Sequence, residues 1–137
     1  MTTITEDYVS YEVAKLLKEK GFDEQCRDFY RQENGNWLHR TTYEYNYFNL
    51  QMPRWEDCYS CPTHQTAMKW LREVHNKHCD IGYDIDLEWF FQIIDLKETV
   101  EYDYPETKYY HTENESGFNS YEDAVEAAIK YCLENLI

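Results

Sequence analysis

The chain has 137 residues and a formal net charge of −14, with 13 Lys and Arg against 27 Asp and Glu. It is 42% hydrophobic and 18% aromatic, which argues against disorder, and the length predicts a single domain over residues 1–137. The chain lacks the clustered Lys and Arg on which direct binding to nucleic acid or to anionic membranes depends.

The first predicted helix begins after Ser10, a residue type that favours helix N-caps, and ends at Gly21. Val9, Val13, Leu16 and Leu17 recur at helical spacing and predict one buried face. Phe22 follows the glycine and is placed to fold back onto the last turn.

Two strands are predicted next, over residues 26–32 and 37–45. They flank Asn34-Gly35, a dipeptide that is a strong short-range signal for a β-hairpin. Residues 46–59 show no period and are predicted to form a loop rich in aromatic side chains.

The second predicted helix has Thr63 as its N-cap and ends near Asn76. Its apolar residues recur three to four positions apart, which is typical of a buried stripe: Ala67, Trp70, Leu71 and Val74.

Strands follow the second helix. Apolar residues at alternate positions predict one buried and one wet face, with Ile81, Tyr83, Ile85 and Leu87 alternating with Asp80, Gly82, Asp84 and Asp86. Residues 89–96 are apolar on both sides and predict a central strand, and a weaker strand is predicted near residues 108–111.

The third predicted helix is capped by Ser120 and carries Glu122 and Asp123 in its first turn. Its apolar positions follow helical spacing through Leu136. The order α-ββ-α-βββ-α predicts an α+β fold, with three helices packed on a mainly antiparallel sheet.

Three segments resemble a family of short proteins that recurs in gut bacteria of the Bacteroides group and in their phages and mobile elements. They are SYEVAKLLKEKGF at 10–22, PTHQTAMKWLREVH at 62–75 and YEDAVEAAIKYCLENLI at 121–137. The resemblance implies a small cytoplasmic protein of phage or mobile-element origin. All three segments are predicted helices, so the resemblance carries fold information and no catalytic residue.

A zinc site is one hypothesis for the cysteines. Cys58, Cys61 and His64 have zinc-ligand spacing, and His75, His78 and Cys79 follow downstream. The predicted helix between the two groups is roughly 20 Å long, so a single ion cannot be shared across it. Zinc on Cys58, Cys61 and His64 is therefore one hypothesis for these residues, and the alternative is a loop with free thiols.

Thiol chemistry is a second hypothesis for the same residues, because a CxxC before a helix can lower a thiol pKa. A third hypothesis places acid–base or metal chemistry on the predicted strand at Asp80, Asp84 and Asp86, with Glu88 and Asp95 nearby. The alternative for that row of acids is a solvated surface, which guards an edge against aggregation.

Tyrosines interleaved with acids predict a partner-binding surface at Tyr102, Tyr104, Tyr109 and Tyr110. The alternative is that about half of these rings are buried in a small core with their hydroxyl groups in water. The first function hypothesis is therefore a non-enzymatic protein-binding module for a partner with a basic surface. The second is a phage or mobile-element inhibitor of host defence that imitates the charge of DNA. The third is a zinc- or thiol-dependent protein using Cys58, Cys61 and His64.

The cellular compartment is predicted from the five cysteines and from the first seven residues. An odd number of cysteines in a chain whose start lacks the basic and apolar regions of a signal peptide predicts free thiols. No stretch is long and apolar enough to span a bilayer. We therefore expect a cytoplasmic protein without membrane contact.

Overall fold

The computed structural model describes residues 4–31, 37–40, 47–49, 57–97, 108–110 and 116–137, with backbone alone at 37–40 and 108–110. These residues form three helices and seven strands. The α+β class is confirmed, because the helices alternate with groups of antiparallel strands. The strands form two sheets, and the chain comprises two compact units, Met1–Thr66 and Ala67–Ile137. That the whole chain is one domain stays a prediction.

The first helix, α1 (Tyr11–Glu19), begins and ends where the sequence predicts. The Ser10 side chain accepts a hydrogen bond from the backbone N–H three residues later. At the other end Gly21 has φ +91°, and the N–H of Phe22 donates to the carbonyl of Leu17 at 2.9 Å. This is a Schellman motif, in which the glycine permits the left-handed backbone and Phe22 is buried against the last turn.

A three-stranded antiparallel sheet completes the first unit. β1 (Asp28–Arg31) lies between β2 (Trp37–Arg40) and β3 (Cys58–Ser60). The pairing of β1 with β2 confirms the predicted hairpin, although Asn34-Gly35 itself lies outside the described residues.

The strand β3 was not expected, because Cys58 and Tyr59 fall in the segment predicted as a loop. That prediction is wrong at these two residues. A three-residue strand is too short to show a period, and β3 forms because it pairs with β1. The rest of that segment is described only at 47–49 and Asp57.

The core of the first unit is made by α1, β1 and β3 together with the segment around Phe48. Phe29 and Phe48 stack with ring centroids 4.4 Å apart. The fully buried side chains include Val9, Val13, Leu17, Phe22, Phe48 and Cys58.

The second helix, α2 (His64–His75), spans the division between the two units. Thr63 caps it as predicted, because its Oγ1 accepts a hydrogen bond from the Thr66 N–H at 3.2 Å. The predicted buried stripe is wrong at Val74, whose side chain is 53% exposed. Val74 lies in the last turn of the helix, just before the chain leaves it at Asn76 with φ +57°.

The second unit is built on a four-stranded sheet. β5 (Glu88–Asp95) is its central strand, as predicted. It pairs along its whole length with β4 (Lys77–Asp84), near its end with β6 (Lys108–Tyr110), and near its start with β7 (Ser116–Phe118). β7 is an additional short strand beyond those that the sequence predicts.

The last helix, α3 (Tyr121–Asn135), packs on β4, β5 and β7. Ser120 caps it by accepting a hydrogen bond from the Asp123 N–H at 3.0 Å. The predicted apolar stripe is confirmed, because its central members are fully buried: Ala124, Val125, Ala128, Ile129, Cys132 and Leu133.

Candidate functional site: the tip of the β4–β5 hairpin

The turn between β4 and β5 presents apolar and acidic side chains in strict alternation. We name residues 83–88 the hairpin tip. Its three apolar side chains are 61%, 86% and 42% exposed at Tyr83, Ile85 and Leu87. Its three acidic side chains are also exposed, at Asp84, Asp86 and Glu88.

This exposure corrects the predicted strand face. The alternation from Ile81 to Leu87 predicts one buried face, and that prediction is wrong at Tyr83, Ile85 and Leu87. The chain reverses at 85–87, so the side chains there leave the sheet. The turn contains no Gly, Pro or Asn-Gly, the residues that usually mark a turn in a sequence. The length of the segment is the one signal of a turn in the sequence. The two predicted strands follow each other directly and together exceed the roughly 10 residues that a single strand usually reaches.

Backbone hydrogen bonds hold the tip in one shape. The Asp84 carboxylate accepts a hydrogen bond from the Asp86 N–H at 2.8 Å, which closes an Asx turn. The Leu87 carbonyl accepts another from the Gly117 N–H at 2.8 Å, and Glu88 adopts φ +59°. A turn fixed in this way loses little conformational entropy when a partner covers it.

Aromatic contacts fix the base of the tip. Tyr83 lies directly opposite Trp89 in the β4–β5 register, and their rings meet edge to face with centroids 5.1 Å apart. Trp89 also contacts Tyr121 at the start of α3, with centroids 5.8 Å apart. The tip is therefore anchored to α3 through two successive edge-to-face aromatic contacts.

The remaining acids of the predicted carboxylate row do not converge on the tip. Asp80 is exposed on β4, and Asp95 is buried at the far end of β5. The Asp95 carboxylate binds the Lys77 ammonium at 2.7 Å and accepts a hydrogen bond from the Lys97 N–H at 3.0 Å. Asp95 therefore has a structural ion-pair role.

The three residues of the zinc hypothesis are buried in separate environments. Cys58 lies in β3 with its Sγ 3.8 Å from an Asp57 carboxylate oxygen, and Cys61 donates to the Val9 carbonyl at 3.4 Å. His64 is the first residue of α2. Within the described ranges, no three or more His, Cys, Asp or Glu side chains are grouped to hold a metal ion, and these three do not form such a group.

Burial acts against activation of two thiols of the first unit, Cys26 and Cys58. Burial raises the pKa of the Cys58 thiol, although Arg31 and Lys18 oppose the shift. Burial also raises the pKa of Cys26 to about 12. Cys26 and Cys61 line a polar cleft of about 260 Å³ beside the start of α2. Thiol catalysis needs a lowered pKa, so the pKa shifts of Cys26 and Cys58 point away from it.

His75 is the last residue of α2, and His78 follows it in β4. His75 contacts the Trp70 ring with centroids 4.6 Å apart, and burial, with a smaller effect of Lys77, lowers its pKa. His78 lies in β4, where it pairs with Ile94 across the sheet. The downstream residue Cys79 is buried near a second cysteine instead of a histidine, with 3.9 Å between its Sγ and that of Cys132.

The side chains of the predicted tyrosine surface lie outside the described residues. Tyr102 and Tyr104 lie outside the described residues. Tyr109 and Tyr110 are in β6, which pairs with the end of β5 away from the hairpin tip, and their side chains are outside the described set.

No protein-family model, curated protein or solved structure matches this chain. In the part of the chain that the structure describes, none of the helices has the length and apolar character needed to cross a membrane.

Proposed function

We propose that this chain is a non-enzymatic binding module that engages a basic partner protein through the hairpin tip. The observation that carries the proposal is the exposure of Tyr83, Ile85 and Leu87 on a fixed turn between three carboxylates. Contiguous exposed apolar groups rimmed by polar ones are typical of protein interaction sites.

The apolar part of the tip supports the affinity. Covering the exposed portions of Tyr83, Ile85 and Leu87 contributes roughly 3–5 kcal/mol, taking 1.5–3 kcal/mol for each fully buried side chain. The rigidity of the turn preserves that gain, because few backbone conformations are lost on binding.

The acidic part of the tip supports the choice of partner. Asp84, Asp86 and Glu88 favour a surface that offers Lys or Arg around an apolar depression. They disfavour a second copy of this chain, which brings the same three carboxylates in a protein of net charge −14. They also disfavour nucleic acid, whose phosphates repel them.

One of the other two hypotheses from the sequence is a special case of this proposal, and the other is independent of it. A phage or mobile-element inhibitor of host defence is the case in which the basic partner is a nucleic-acid-binding protein. A cytoplasmic location gives access to such partners. A zinc- or thiol-dependent role of Cys58, Cys61 and His64 is tested separately, by the metal content of protein purified without added metal.

The experiment compares two tip variants with two matched controls. The apolar variant is I85S/L87S, and its control is I4S at another exposed aliphatic residue. The charge variant is D84N/D86N/E88Q. Its control, E6Q/D23N/E24Q, removes the same number of exposed acids from the first unit.

Each variant is tagged and used to capture proteins from host lysate at 50 and 500 mM salt, and captured basic proteins are then purified and titrated directly. We expect one basic protein to bind the wild type and both controls, to lose at least tenfold in affinity for each tip variant, and to bind more weakly at high salt. Equal binding by the tip variants contradicts the use of the tip. Absence of any wild-type-specific partner contradicts the binding-module proposal.

A further inference from the structure

Two cysteines of the second unit lie side by side in its core. Cys79 is in β4 and Cys132 is in α3, and their Sγ atoms are 3.9 Å apart. Both thiols are buried and both are free. They are 53 positions apart in the chain, so only the packing of α3 on β4 brings them together.

We propose that Cys79 and Cys132 form a redox pair that closes to a disulfide and thereby staples β4 to α3. A disulfide needs a sulfur–sulfur distance of about 2.05 Å, so the two atoms have to approach by roughly 2 Å. Rotation about the Cα–Cβ bond of either cysteine moves its Sγ atom by a distance of this order, and local opening of α3 from β4 admits the oxidant. The proposal is independent of the function proposed for the hairpin tip.

The other three cysteines face different partners, which makes the pairing selective. Cys61 donates to the Val9 carbonyl, and the Cys58 Sγ lies beside the Asp57 carboxylate. Cys26 is buried in the first unit, near the start of β1. All three belong to the first unit, whereas Cys79 and Cys132 both belong to the second.

The reaction balances with an external oxidant of the azo or disulfide class. Two S–H bonds break and one S–S bond forms, and two electrons and two protons pass to the oxidant. Diamide takes them up as its hydrazine, and a small disulfide such as oxidised glutathione is released as two thiols. Either reagent converts the same pair.

The burial of the pair governs how fast it reacts. The hydrogen bond with Cys79, together with burial, raises the pKa of the Cys132 thiol, so thiolate is scarce at neutral pH. Reaction therefore proceeds through local opening of α3 from β4, and it accelerates as the pH rises. We therefore expect a slow closure whose rate depends on pH.

The closed form has a mechanical consequence for the second unit. The disulfide links the ends of a segment that contains the whole β4–β5 turn, β5, β6 and β7. Closing a loop of this length restricts the unfolded chain strongly. We expect oxidation to raise the melting midpoint by about 10 °C, and reduction with dithiothreitol to reverse the rise.

The test uses the full chain, freed of reductant and treated with diamide at pH 7.5 and 8.5. Free thiols are counted in denaturant, and the disulfide is located by peptide mass spectrometry. The variants are C79S and C132S, with C26S as a control at another buried cysteine.

We expect the thiol count of the wild type to fall from five to three, with a cross-linked peptide joining Cys79 to Cys132. C26S should still lose two thiols, whereas C79S and C132S should lose none. Retention of all five thiols after prolonged treatment at pH 8.5 overturns the proposal, as does a disulfide that involves Cys26, Cys58 or Cys61. Peptide mapping of the wild type decides the question if C79S or C132S fails to fold.

Discussion

Replacing Lys77 with methionine is expected to destabilise the second unit by about 2–3 kcal/mol. Lys77 and Asp95 face each other across the base of the β4–β5 hairpin, with 2.7 Å between ammonium nitrogen and carboxylate oxygen. Their side chains are only 13% and 8% exposed. Methionine keeps the length of the lysine stem and removes its charge, so the buried Asp95 carboxylate loses the Lys77 ammonium.

The magnitude follows from the geometry of the pair. At 2.7 Å and an effective dielectric constant of about 20, the Coulomb attraction is roughly 6 kcal/mol, and desolvation of the two ions offsets much of it. Removing one partner of a buried pair typically costs about 3–5 kcal/mol. The Lys97 N–H continues to donate to Asp95, and some solvent reaches both groups, which lowers the expected cost to the range above.

Urea unfolding of the wild type, K77M, D95N and the double variant measures the coupling between the two residues. We expect a coupling energy of at least about 1.5 kcal/mol, with the double variant less destabilised than the sum of the single variants. The control is the exposed pair of Lys69 and Glu73, 4.0 Å apart on α2, where the expected coupling is below about 0.5 kcal/mol. Equal coupling energies at the two pairs would refute the reasoning.

Two further predictions concern Gly82 and His75. A Cβ at Gly82 would lie 2.6 Å from the Phe90 ring, so G82A should lower the free energy of unfolding by about 1–2 kcal/mol, and by less in an F90L background. The lowered pKa of His75 means that the unfolded chain binds the proton more readily. Stability should therefore fall as the pH drops below about 6.5, and urea midpoints at pH 7.5 and 5.5 should differ less in H75Q than in the wild type.

The helices were predictable because their signals are local. Each helix begins after a side-chain oxygen that accepts a hydrogen bond from an N–H three residues later, at Ser10, Thr63 and Ser120. Gly21 adopts the left-handed φ that the end of α1 requires, which glycine does without steric strain. The buried stripe on α3 can be predicted from residue spacing alone, without knowing which strands pack against it. Val74 was predicted wrongly because periodicity continues to the end of a helix whether or not packing does.

The hairpin tip and the cysteine pair were not predictable in the same way. The turn at 85–87 is formed by Asp84 and by the Gly117 N–H, which is distant in the chain, instead of by a turn dipeptide. The approach of Cys79 to Cys132 depends on the docking of α3, and no spacing in the sequence encodes it. Tertiary contacts decide both features, whereas the fold class follows from local pattern alone.

The central position of β5 has a consequence for the order of folding. Its pairing with β4 closes a short turn, an event of roughly 1–10 µs in isolated hairpins. Its pairing with β7 joins Trp89 to Phe118. This contact closes a much longer loop, so its formation costs more chain entropy than the β4–β5 turn does. We therefore expect the β4–β5 ribbon to fold before the rest of the second unit, so that one face of the ribbon stays uncovered until α3 docks on it.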